Sequence, residues 1–422
     1  MSAGRRAGRT REARAEIERL AAAGPGAVLL EAELTATAAP VPALDADGRQ
    51  VAQAWVLCRD GGRPAALVTL DVPPGGLTAE QTSTALRAAL GAPGGAPAEQ
   101  PAPTGSTPSV TVVLCTRERP EELRRALGSL ADQTTGDFDV LVVDNAPRTG
   151  ATRDVVDEYR GKLAVEYVVE PRPGLSRARN AALRAVTSDV IAWLDDDEEA
   201  DPAWVAEVTR GFQQHPGAGA VSGVVVPAEL RTRAQVWFEQ FGGHSKGRGF
   251  APQLLDPTAP DAQDPLFPLP AFGVGANMAF PVELMRSLGG FDEALGAGTL
   301  TRGGEDTRMF TQVLMAGHPV LYWPSAMTRH YHRADLAGLE AQLTGYGSGL
   351  TAFYASMIRA DPRNLVRLVR LVPTAFRALF GGDSLRVATI GEDFPQHVLG
   401  TNRRAMLAGP FLYARQRLRN RR

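Results

Sequence analysis

The sequence predicts an α/β protein built on a mainly parallel, doubly wound sheet, with a small α+β unit before it and a helical region after it. Between residues 109 and 333, apolar runs of strand length alternate with segments of helical composition. The first run, at residues 110–115, is nearly all apolar, as expected of a strand buried on both faces. Connections of this length are right-handed and leave consecutive strands parallel.

The elements of this region follow in order along the chain. The predicted strands are 110–115, 138–143, 163–169 and 190–194, and the predicted helices are 120–132, 175–186 and 202–214. Pro120 stands early in its helix, where a missing N–H costs little. Ligands of such sheets bind beyond the carboxyl ends of the strands, so the polar residues that follow each strand are the candidates for function.

The flanking regions divide the chain further. Residues 1–25 form a basic segment, and residues 26–95 form the small α+β unit, with strands at 27–34, 53–59 and 64–71 and a helix at 78–90. Asp60-Gly61-Gly62-Arg63 is a good hairpin turn. We find no chemistry in this unit and expect an accessory or packing role. The Gly/Pro-rich residues 96–108 read as a linker, 109–333 as the α/β domain and 334–422 as the helical region.

Composition excludes several classes of protein. With 422 residues, 44% apolar and 22% charged, the chain is not disordered, and a net charge of −2 gives no global attraction for nucleic acid. Two cysteines, Cys58 and Cys115, exclude a disulfide framework and a cysteine-based zinc site. We see no secretory signal and no apolar run of about 18 residues, so we expect a cytoplasmic protein without a spanning helix.

Three consecutive aspartates, Asp195, Asp196 and Asp197, follow the fourth strand. Packed carboxylates raise one another's pKa unless a cation neutralises them, and hard carboxylate oxygens suit Mg²⁺ or Mn²⁺. The run predicts a divalent cation that bridges to a diphosphate. The alternative is an acidic loop that caps the helix starting near Pro202.

Other polar residues also follow strands. Thr116 and Arg117 end the first strand, and Arg179 and Asn180 open the helix after the third. Asp144 ends the second strand and offers an acceptor for a base N–H or ribose hydroxyl, or else bonds its own turn. Arg179 suits bidentate phosphate binding, or else is a surface residue paired with acids such as Glu170.

The second half of the domain adds a pair of acids and two histidines. Residues 272–280 read as a strand with small residues that permit close approach of a ligand. Glu305 and Asp306 follow Gly303-Gly304 at a predicted helix N-terminus, either as caps or as a general base. His330, and less so His332, is a candidate extra metal ligand near the acids, although a lone histidine is more often structural.

The order of these pieces resembles family 2 glycosyltransferases with a GT-A fold, which are inverting enzymes that use nucleotide sugars. The resemblance covers roughly residues 109–333 and rests on the ordered pieces VTVVLCTRERPEELRRALGSL, FDVLVVDNA, GLSRARNAAL, VIAWLDDDEEADPAW, GANMAF, GGFDEALGAG, GGEDTRM and RHYHR. No single piece is specific, but the combination is.

The resemblance implies a role for each matching position. Thr116 and Asp144 fall on nucleobase contacts, Arg179 falls near the nucleotide, and the run at 195–197 matches the DxD-type motif. Asp306 matches the catalytic base, with Glu305 beside it. The implied sites are nucleotide-sugar binding by Thr116, Arg117, Asp144, Arg179, Asn180, Asp195 and Asp196, and Mn²⁺ or Mg²⁺ binding by Asp195, Asp197 and His330. Which pair of the three aspartates meets the metal is open.

The implied reaction is transfer of one sugar from a nucleotide-diphosphate donor, with UDP or dTDP favoured, to a hydroxyl acceptor that is lipid-linked or a glycan. The chain lacks a QxxRW motif, which argues against processive polymerisation. Two rivals remain. A nucleotidyltransferase would carry a Gly-rich loop after the first strand, where this chain reads CTRERPEEL. A catalytically inactive nucleotide- or sugar-binding module would have an eroded acidic run, and here it is intact.

The C-terminal region is basic, with thirteen arginines against six acidic residues in 335–422. In the stretch 363–379, arginines fall on one helical face and apolar residues lie broadly opposite. This pattern predicts either peripheral contact with an anionic membrane or a helix packed on the catalytic domain with a solvated arginine face.

Overall fold

A computed structural model describes residues 15, 17–19, 21, 26–90, 105–245, 247–267, 272–380 and 394–421. The predicted basic segment 1–25, apart from five positions, and most of the predicted linker lie outside the described residues. Of the linker, residues 105–108 are described, and they lie against the helix that ends at Gln214, where Gly105 N–H donates to the Gln213 carbonyl at 3.1 Å.

The described elements are numbered in chain order. The strands are β1 Val28–Glu33, β2 Gln53–Asp60, β3 Arg63–Asp71, β4 Val110–Thr116, β5 Asp139–Asn145, β6 Val165–Glu170, β7 Val190–Leu194, β8 Glu198–Ala200, β9 Ala220–Ser222, β10 Val225–Pro227, β11 Gln253–Leu255, β12 Asn277–Pro281, β13 Val320–Tyr322 and β14 Thr328–His330. The helices are α1 Ala79–Leu90, α2 Pro120–Ala131, α3 Ala151–Tyr159, α4 Leu175–Ala185, α5 Trp204–Gln214, α6 Arg233–Gln240, α7 Val282–Ser287, α8 Glu305–Met315, α9 Leu336–Ala360, α10 Arg363–Phe380 and α11 Gln396–Asn420.

The central sheet has eight strands in the order β11-β13-β9-β12-β7-β4-β5-β6. Strands β7, β4, β5 and β6 form a parallel block, and β12 runs antiparallel to its neighbours β7 and β9. Alternate residues of β4 enter different cores, with Val112 packing against α2, α3 and α5 and Val113 packing against α4, α7 and α8. The predicted α/β class with a doubly wound, mainly parallel sheet is therefore confirmed.

The strand order reverses beside β4. The chain moves from β4 outward to β5 and β6 and returns to β7 on the other side of β4. This switch point brings the ends of β4 and β7, and thus Thr116 and Asp195, to the same edge of the sheet, where ligands of such sheets bind.

A second, three-stranded sheet lies next to this edge, in the order β10-β14-β8. Strand β8 continues directly from the aspartate run and pairs antiparallel with β14, so that Glu198 lies opposite His330. The alternative that the aspartates cap α5 is wrong, because β8 separates them from that helix, which begins at Trp204 without a side-chain cap.

The N-terminal α+β unit is also confirmed. Strands β2 and β3 pair through the predicted turn, in which Gly61 and Gly62 have φ of 58° and 79°, as a tight hairpin requires. Its Leu57 packs against Val224 and Val226 of the catalytic domain. At the same interface the Arg59 guanidinium contacts Asp201 at 2.5 Å.

The C-terminal region is helical, as predicted. Helices α9 and α11 pack so closely that a Cβ on Gly347 would lie 2.4 Å from the Asn402 carbonyl oxygen. A Cβ on Gly409 would lie 2.0 Å from Thr351 Oγ1, so both glycines are required by the helix contact. Helix α10 continues past Pro373, and residues 381–393 lie outside the described part of the chain.

Several short elements were not predicted. The segment 237–270 contains the end of α6 and strand β11, and the strand expected at 272–280 is confined to β12. The missed elements are too short to show a hydrophobic period: helices α3 and α7 and strands β8, β9 and β10. The strands among them are stabilised by pairing with residues that are distant in the sequence.

Candidate functional site

The three aspartates after β7 have three different environments. Asp195 keeps 34% of its side chain exposed, whereas Asp196 and Asp197 are buried. Burial raises the pKa of Asp195, and the charges of Asp197 and Asp306 add to this while Arg179 opposes it. Burial also holds the pKa of the adjacent Glu198 well above its ordinary value. Ionisation of Asp195 and Glu198 is therefore less favourable here than in water.

Asp196 is committed to neighbours within the protein. Its Oδ2 accepts a hydrogen bond from Thr116 Oγ1 at 2.7 Å, and its Oδ1 contacts the Arg119 guanidinium at 2.5 Å. Thr116, expected at the nucleobase, therefore holds this carboxylate from the end of β4.

Asp197 lies in the most positive surroundings of the three. Its Oδ2 contacts Arg119 at 3.1 Å and Arg333 at 3.2 Å, and its Oδ1 lies 3.4 Å from His330 Nε2. Although burial raises its pKa, the charges of His330, Arg119 and Arg333 outweigh this and hold the pKa below its ordinary value. Asp197 is therefore ionised.

Arg179 joins the aspartate run to the Glu305–Asp306 pair. The buried guanidinium lies 3.4 Å from Asp195 Oδ1 and 3.1 Å from Glu305 Oε1, and it donates to the Gly275 carbonyl at 2.9 Å. The alternative of a surface arginine paired with Glu170 is wrong, since Arg179 is only 2% exposed and contacts other acids.

Gly275 links Asp306 to Arg179. Its carbonyl accepts from Arg179, and its N–H donates to Asp306 Oδ2 at 3.0 Å. A Cβ on Gly275 would lie 2.8 Å from that oxygen, so only glycine permits the approach. Gly304, with φ of 90°, turns the chain immediately before α8 and directs both acids toward the sheet. The aspartate run and the Glu305–Asp306 pair therefore lie next to one another with Arg179 and Gly275 between them, and we call this region the cleft.

The two acids of this pair are not equivalent. Glu305 is buried against Arg179, and burial together with the charge of Asp306 raises its pKa to about 7. Asp306 is half-buried, and its Oδ1 accepts from the Thr307 N–H at 2.7 Å. Asp306 is the carboxylate of the two that a substrate can reach.

The remaining predicted site residues differ in burial and in the groups that they contact. Asp144 is buried, and Tyr167 donates its hydroxyl to Asp144 Oδ2 at 2.7 Å. Arg117 is exposed. Asn180 faces away from the aspartates, since both ends of its amide bond the backbone of Phe291, at 2.8 and 2.9 Å.

Sequence reasoning did not find Arg119, Arg333 or Tyr167. Arg119 faces the aspartates because Glu118 adopts φ of 54°, which reverses the chain after β4, and the Glu118 carboxylate accepts from the Arg148 N–H. No local pattern distinguishes Arg117 from Arg119. The RHYHR piece does contain Arg333, but only the pairing of β14 with β8 shows what it contacts.

Histidines form a cluster on the far side of Asp197. His330 Nδ1 lies 2.9 Å from His332 Nδ1, and His332 Nε2 lies 2.7 Å from Glu239 Oε1. The ring of His244 lies 4.4 Å from that of His330. One nitrogen of each ring falls within 4.8 Å of the other two, so these residues have the ligand types and proximity to hold a metal ion.

Part of the chain matches a known protein family. The model of the glycosyl transferase family 2 matches residues 111–284, which span β4 through α7 and include the aspartate run. This domain belongs to glycosyl transferase family 2. The resemblance inferred from the ordered motifs is thereby confirmed.

Relatives of this family 2 domain include two curated bacterial proteins. Validoxylamine A glucosyltransferase of Streptomyces hygroscopicus is 30% identical over 238 residues, or 53% of this chain and 51% of the relative. Succinoglycan biosynthesis protein ExoM of Rhizobium meliloti is 29% identical over 54% of this chain and 70% of the relative. The chain spans about half the length of the first of these.

A solved structure was also found, that of a mannosyltransferase of Pyrobaculum calidifontis in complex with GDP-mannose and Mn²⁺. It is 20% identical, covers 75% of this chain and 90% of its own, and has a TM-score of 0.49. Among the described residues, no helix has both the length and the apolar character needed to span a membrane.

Proposed function

We propose that the chain is an inverting, metal-dependent glycosyltransferase that moves a single sugar from a nucleotide-diphosphate donor to an acceptor hydroxyl. The observation that carries this proposal is the shared cleft, in which Arg179 contacts both Asp195 and Glu305 and Gly275 contacts both Arg179 and Asp306. The relatives named for glucosyl transfer and for succinoglycan biosynthesis support sugar transfer as the class of activity.

Residues fitted to hold Mn²⁺ or Mg²⁺ are Asp195, Asp197 and His330. Asp197 Oδ1 and His330 Nε2 face one another at 3.4 Å, and Asp195, two residues earlier, is partly exposed, so carboxylate oxygens and an imidazole are available after β7. Asp196 is left out, because burial raises its pKa and so disfavours the ionised form, whereas basic neighbours lower the pKa of Asp197. A bound divalent cation would supply Lewis-acid stabilisation of the negative charge on the departing diphosphate.

Arg119 and Arg333 support the same step. Both guanidinium groups contact Asp197, and Arg333 is half exposed, so either can exchange a carboxylate contact for a phosphate oxygen. Thr116, Arg117, Asp144 and Arg179 stay proposals as donor contacts, whereas Asn180, whose amide bonds the Phe291 backbone, is not proposed as one. Asp144 offers a carboxylate to the N3–H of uracil or thymine, which is why UDP and dTDP sugars are favoured.

Asp306 is the proposed general base. Its carboxylate accepts the proton of the acceptor hydroxyl as that oxygen attacks the anomeric carbon opposite the diphosphate. Glu305, buried against Arg179, is a positioning residue in this scheme. One base and no enzyme nucleophile give a single displacement, so the product has the inverted anomeric configuration.

A hydrolysis assay over nucleotide sugars, with and without Mn²⁺, tests this function. We expect Mn²⁺-dependent release of nucleoside diphosphate from at least one donor and an inverted sugar by NMR. Binding of nucleoside diphosphate without turnover of any donor would favour the inactive binding module instead. Release of pyrophosphate from a nucleoside triphosphate and a sugar phosphate would favour the nucleotidyltransferase.

We also propose that α10 contacts an anionic membrane, near a lipid-linked acceptor. Val366, Val369 and Val372 are each more than half exposed, whereas Leu368 and Leu371 pack against the α9 side chains Phe353 and Met357. An outward apolar stripe beside Arg363, Arg367 and Arg370 is typical of an interfacial helix, and each basic residue near such a surface contributes about 1 kcal/mol.

Co-sedimentation with phosphatidylglycerol vesicles tests the membrane contact. We expect binding at low salt that weakens at high salt, and loss of binding in Val366→Ser/Val369→Ser. Leu254→Ser, an exposed apolar residue on β11, serves as the control and keeps binding. Absence of binding to anionic vesicles at low salt would refute the proposal.

A further inference from the structure

A cavity of about 490 Å³ lies behind the catalytic cleft, between the loop 289–293, α8 and the C-terminal helices α9 and α11. Helices α4 and α8 border both the cavity and the cleft, but different side chains of these helices face each of them. Arg179 of α4 faces the cleft and the next residue, Asn180, lines the cavity. On α8, Asp306 faces the cleft and Arg308 lines the cavity. Volumes of several hundred cubic ångström are typical of sites for small ligands.

Charge in this cavity is strongly positive. Its lining includes the four arginines Arg308, Arg359, Arg417 and Arg421, and only two acids, Asp292 and Glu293. Glu293 forms an ion pair with Arg177, which is not among the lining residues; the guanidinium lies 3.0 Å from the carboxylate. The cavity therefore holds an excess of cationic groups that its own acids do not neutralise.

Asp292 is also occupied by the protein. Its Oδ2 accepts from Ser356 Oγ at 2.6 Å and from the Tyr413 hydroxyl at 2.8 Å, and its Oδ1 accepts from the Ala294 N–H at 3.0 Å. Arg417 reaches this carboxylate only at 3.5 Å. Within the described part of the chain, Arg308, Arg359 and Arg421 form no ion pair.

Arg308 is the most constrained of the four arginines. Its Nη1 donates to Gln312 at 2.6 Å, while its buried Nε has no hydrogen-bond partner among the described residues. Burial lowers the pKa of Arg308, and the charges of Arg417 and Arg359 lower it further despite Asp292. Like charges gathered around an unsatisfied buried donor are costly to the fold unless an anion joins them.

We propose that this cavity binds the phosphate or diphosphate group of a second ligand, separate from the donor. Arginine forks match phosphate oxygens bidentately, and four arginine side chains border this one partly open cavity. Phe291 and Tyr413 add aromatic surface for an organic part of the ligand. The ligand is either a free phosphate compound or the phosphorylated end of a lipid-linked molecule, since both present the same oxyanion.

Isothermal titration in metal-free buffer tests the site with two probes, inorganic pyrophosphate and geranyl diphosphate. The test variant is Arg359→Gln/Arg421→Gln, which removes two exposed lining arginines. The control, Arg415→Gln/Arg419→Gln, removes two exposed arginines of α11 that do not line the cavity, so the change in net charge is matched. Melting temperatures confirm that both variants fold.

We expect wild-type binding of both probes, at least tenfold weaker binding in the test variant and a change of less than about twofold in the control. Tighter binding of geranyl diphosphate would identify the lipid-linked source, and equal binding would identify the free compound. No binding at millimolar probe, or equal loss in both variants, would overturn the site. Because the titration contains no metal and no donor, failure of the proposed transferase reaction would not change its result.

Discussion

At the scale of single residues, the aspartate run shows how one pattern gives three roles. The sequence predicts a cation site at 195–197 because carboxylates suit hard cations, but it leaves the ligands open. Burial raises the pKa of Asp196 whereas basic neighbours lower that of Asp197, and Arg119, one of those neighbours, follows Glu118, which adopts a left-handed conformation. Such a conformation in a non-glycine residue has no sequence signal.

Asp197→Asn should lose cation-dependent nucleotide binding. Removing this carboxylate takes away a proposed ligand and leaves Arg119 and Arg333 without their shared partner. We expect Mn²⁺ affinity to fall by more than the roughly 10- to 100-fold that loss of an outer-shell partner costs. The measurement is the rise in melting temperature with nucleoside diphosphate plus Mn²⁺.

Glu199→Gln is the matched control for this change. It replaces an acid two residues along the chain whose carboxylate accepts a hydrogen bond from the Tyr331 hydroxyl at 2.8 Å. We expect its Mn²⁺-dependent shift to stay close to that of the wild type. An Asp197→Asn protein that kept the full shift would contradict the assignment of the metal ligands.

At the scale of elements, long strands and helices were predictable and short ones were not. Strands β4 and β7 show nearly continuous apolar runs, which a two-sided burial requires. Strands β8 and β14 have three residues each and are stabilised by pairing with one another. Their residues lie more than a hundred positions apart in the sequence, so no local pattern predicts the pair. That pairing brings His330 beside Asp197, so the sequence could name the histidine but not its contact.

Gly275→Ala should impair turnover while preserving the fold. The new Cβ would lie 2.8 Å from Asp306 Oδ2, so the carboxylate must move away from the cleft. Displacements of about 1 Å at reacting groups can cost about 100-fold in rate, and we expect a loss of roughly that size in kcat. Gly217→Ala, where a Cβ meets open space, is the control in the same turnover assay. Equal activity of the two variants would count against the placement of Asp306.

Asp292 should make the docking of the C-terminal helices sensitive to acid. Burial raises its pKa, but hydrogen bonds from Ser356, the Ala294 N–H and Tyr413 outweigh this, and the net pKa is lowered. A depressed carboxyl pKa contributes stability above its unfolded value near 3.8, and this contribution is lost as the pH falls through the folded pKa. The helices should therefore loosen below about pH 4.

Hydrogen exchange of α11 between pH 6 and pH 3, corrected for the intrinsic rate, measures this effect. In Asp292→Asn the protection should be lower at neutral pH, by about 1–3 kcal/mol of opening free energy, and should depend less on pH in the acid range. Identical pH dependence in the variant and the wild type would show that another group controls the docking.

At the scale of the whole molecule, three regions pack around the switch point of the sheet. The N-terminal unit joins β14 through Glu31, which contacts both Arg59 and Arg329, while the C-terminal helices hold Asp292. The sequence predicted the three regions and the central fold but not these contacts, because no local pattern encodes which distant surfaces meet. It likewise could not predict the arginine-lined cavity, which forms only when α9 and α11 pack beside α8.

The most direct test of the central claim is Mn²⁺-dependent donor turnover by Asp306→Asn, measured beside its nucleotide affinity. If Asp306 is the base in a cleft shared with the cation site, the variant should bind nucleoside diphosphate and Mn²⁺ as the wild type does. Its turnover should fall by about 10²- to 10⁴-fold, the usual contribution of a general base. Full turnover by a folded Asp306→Asn protein would contradict the account.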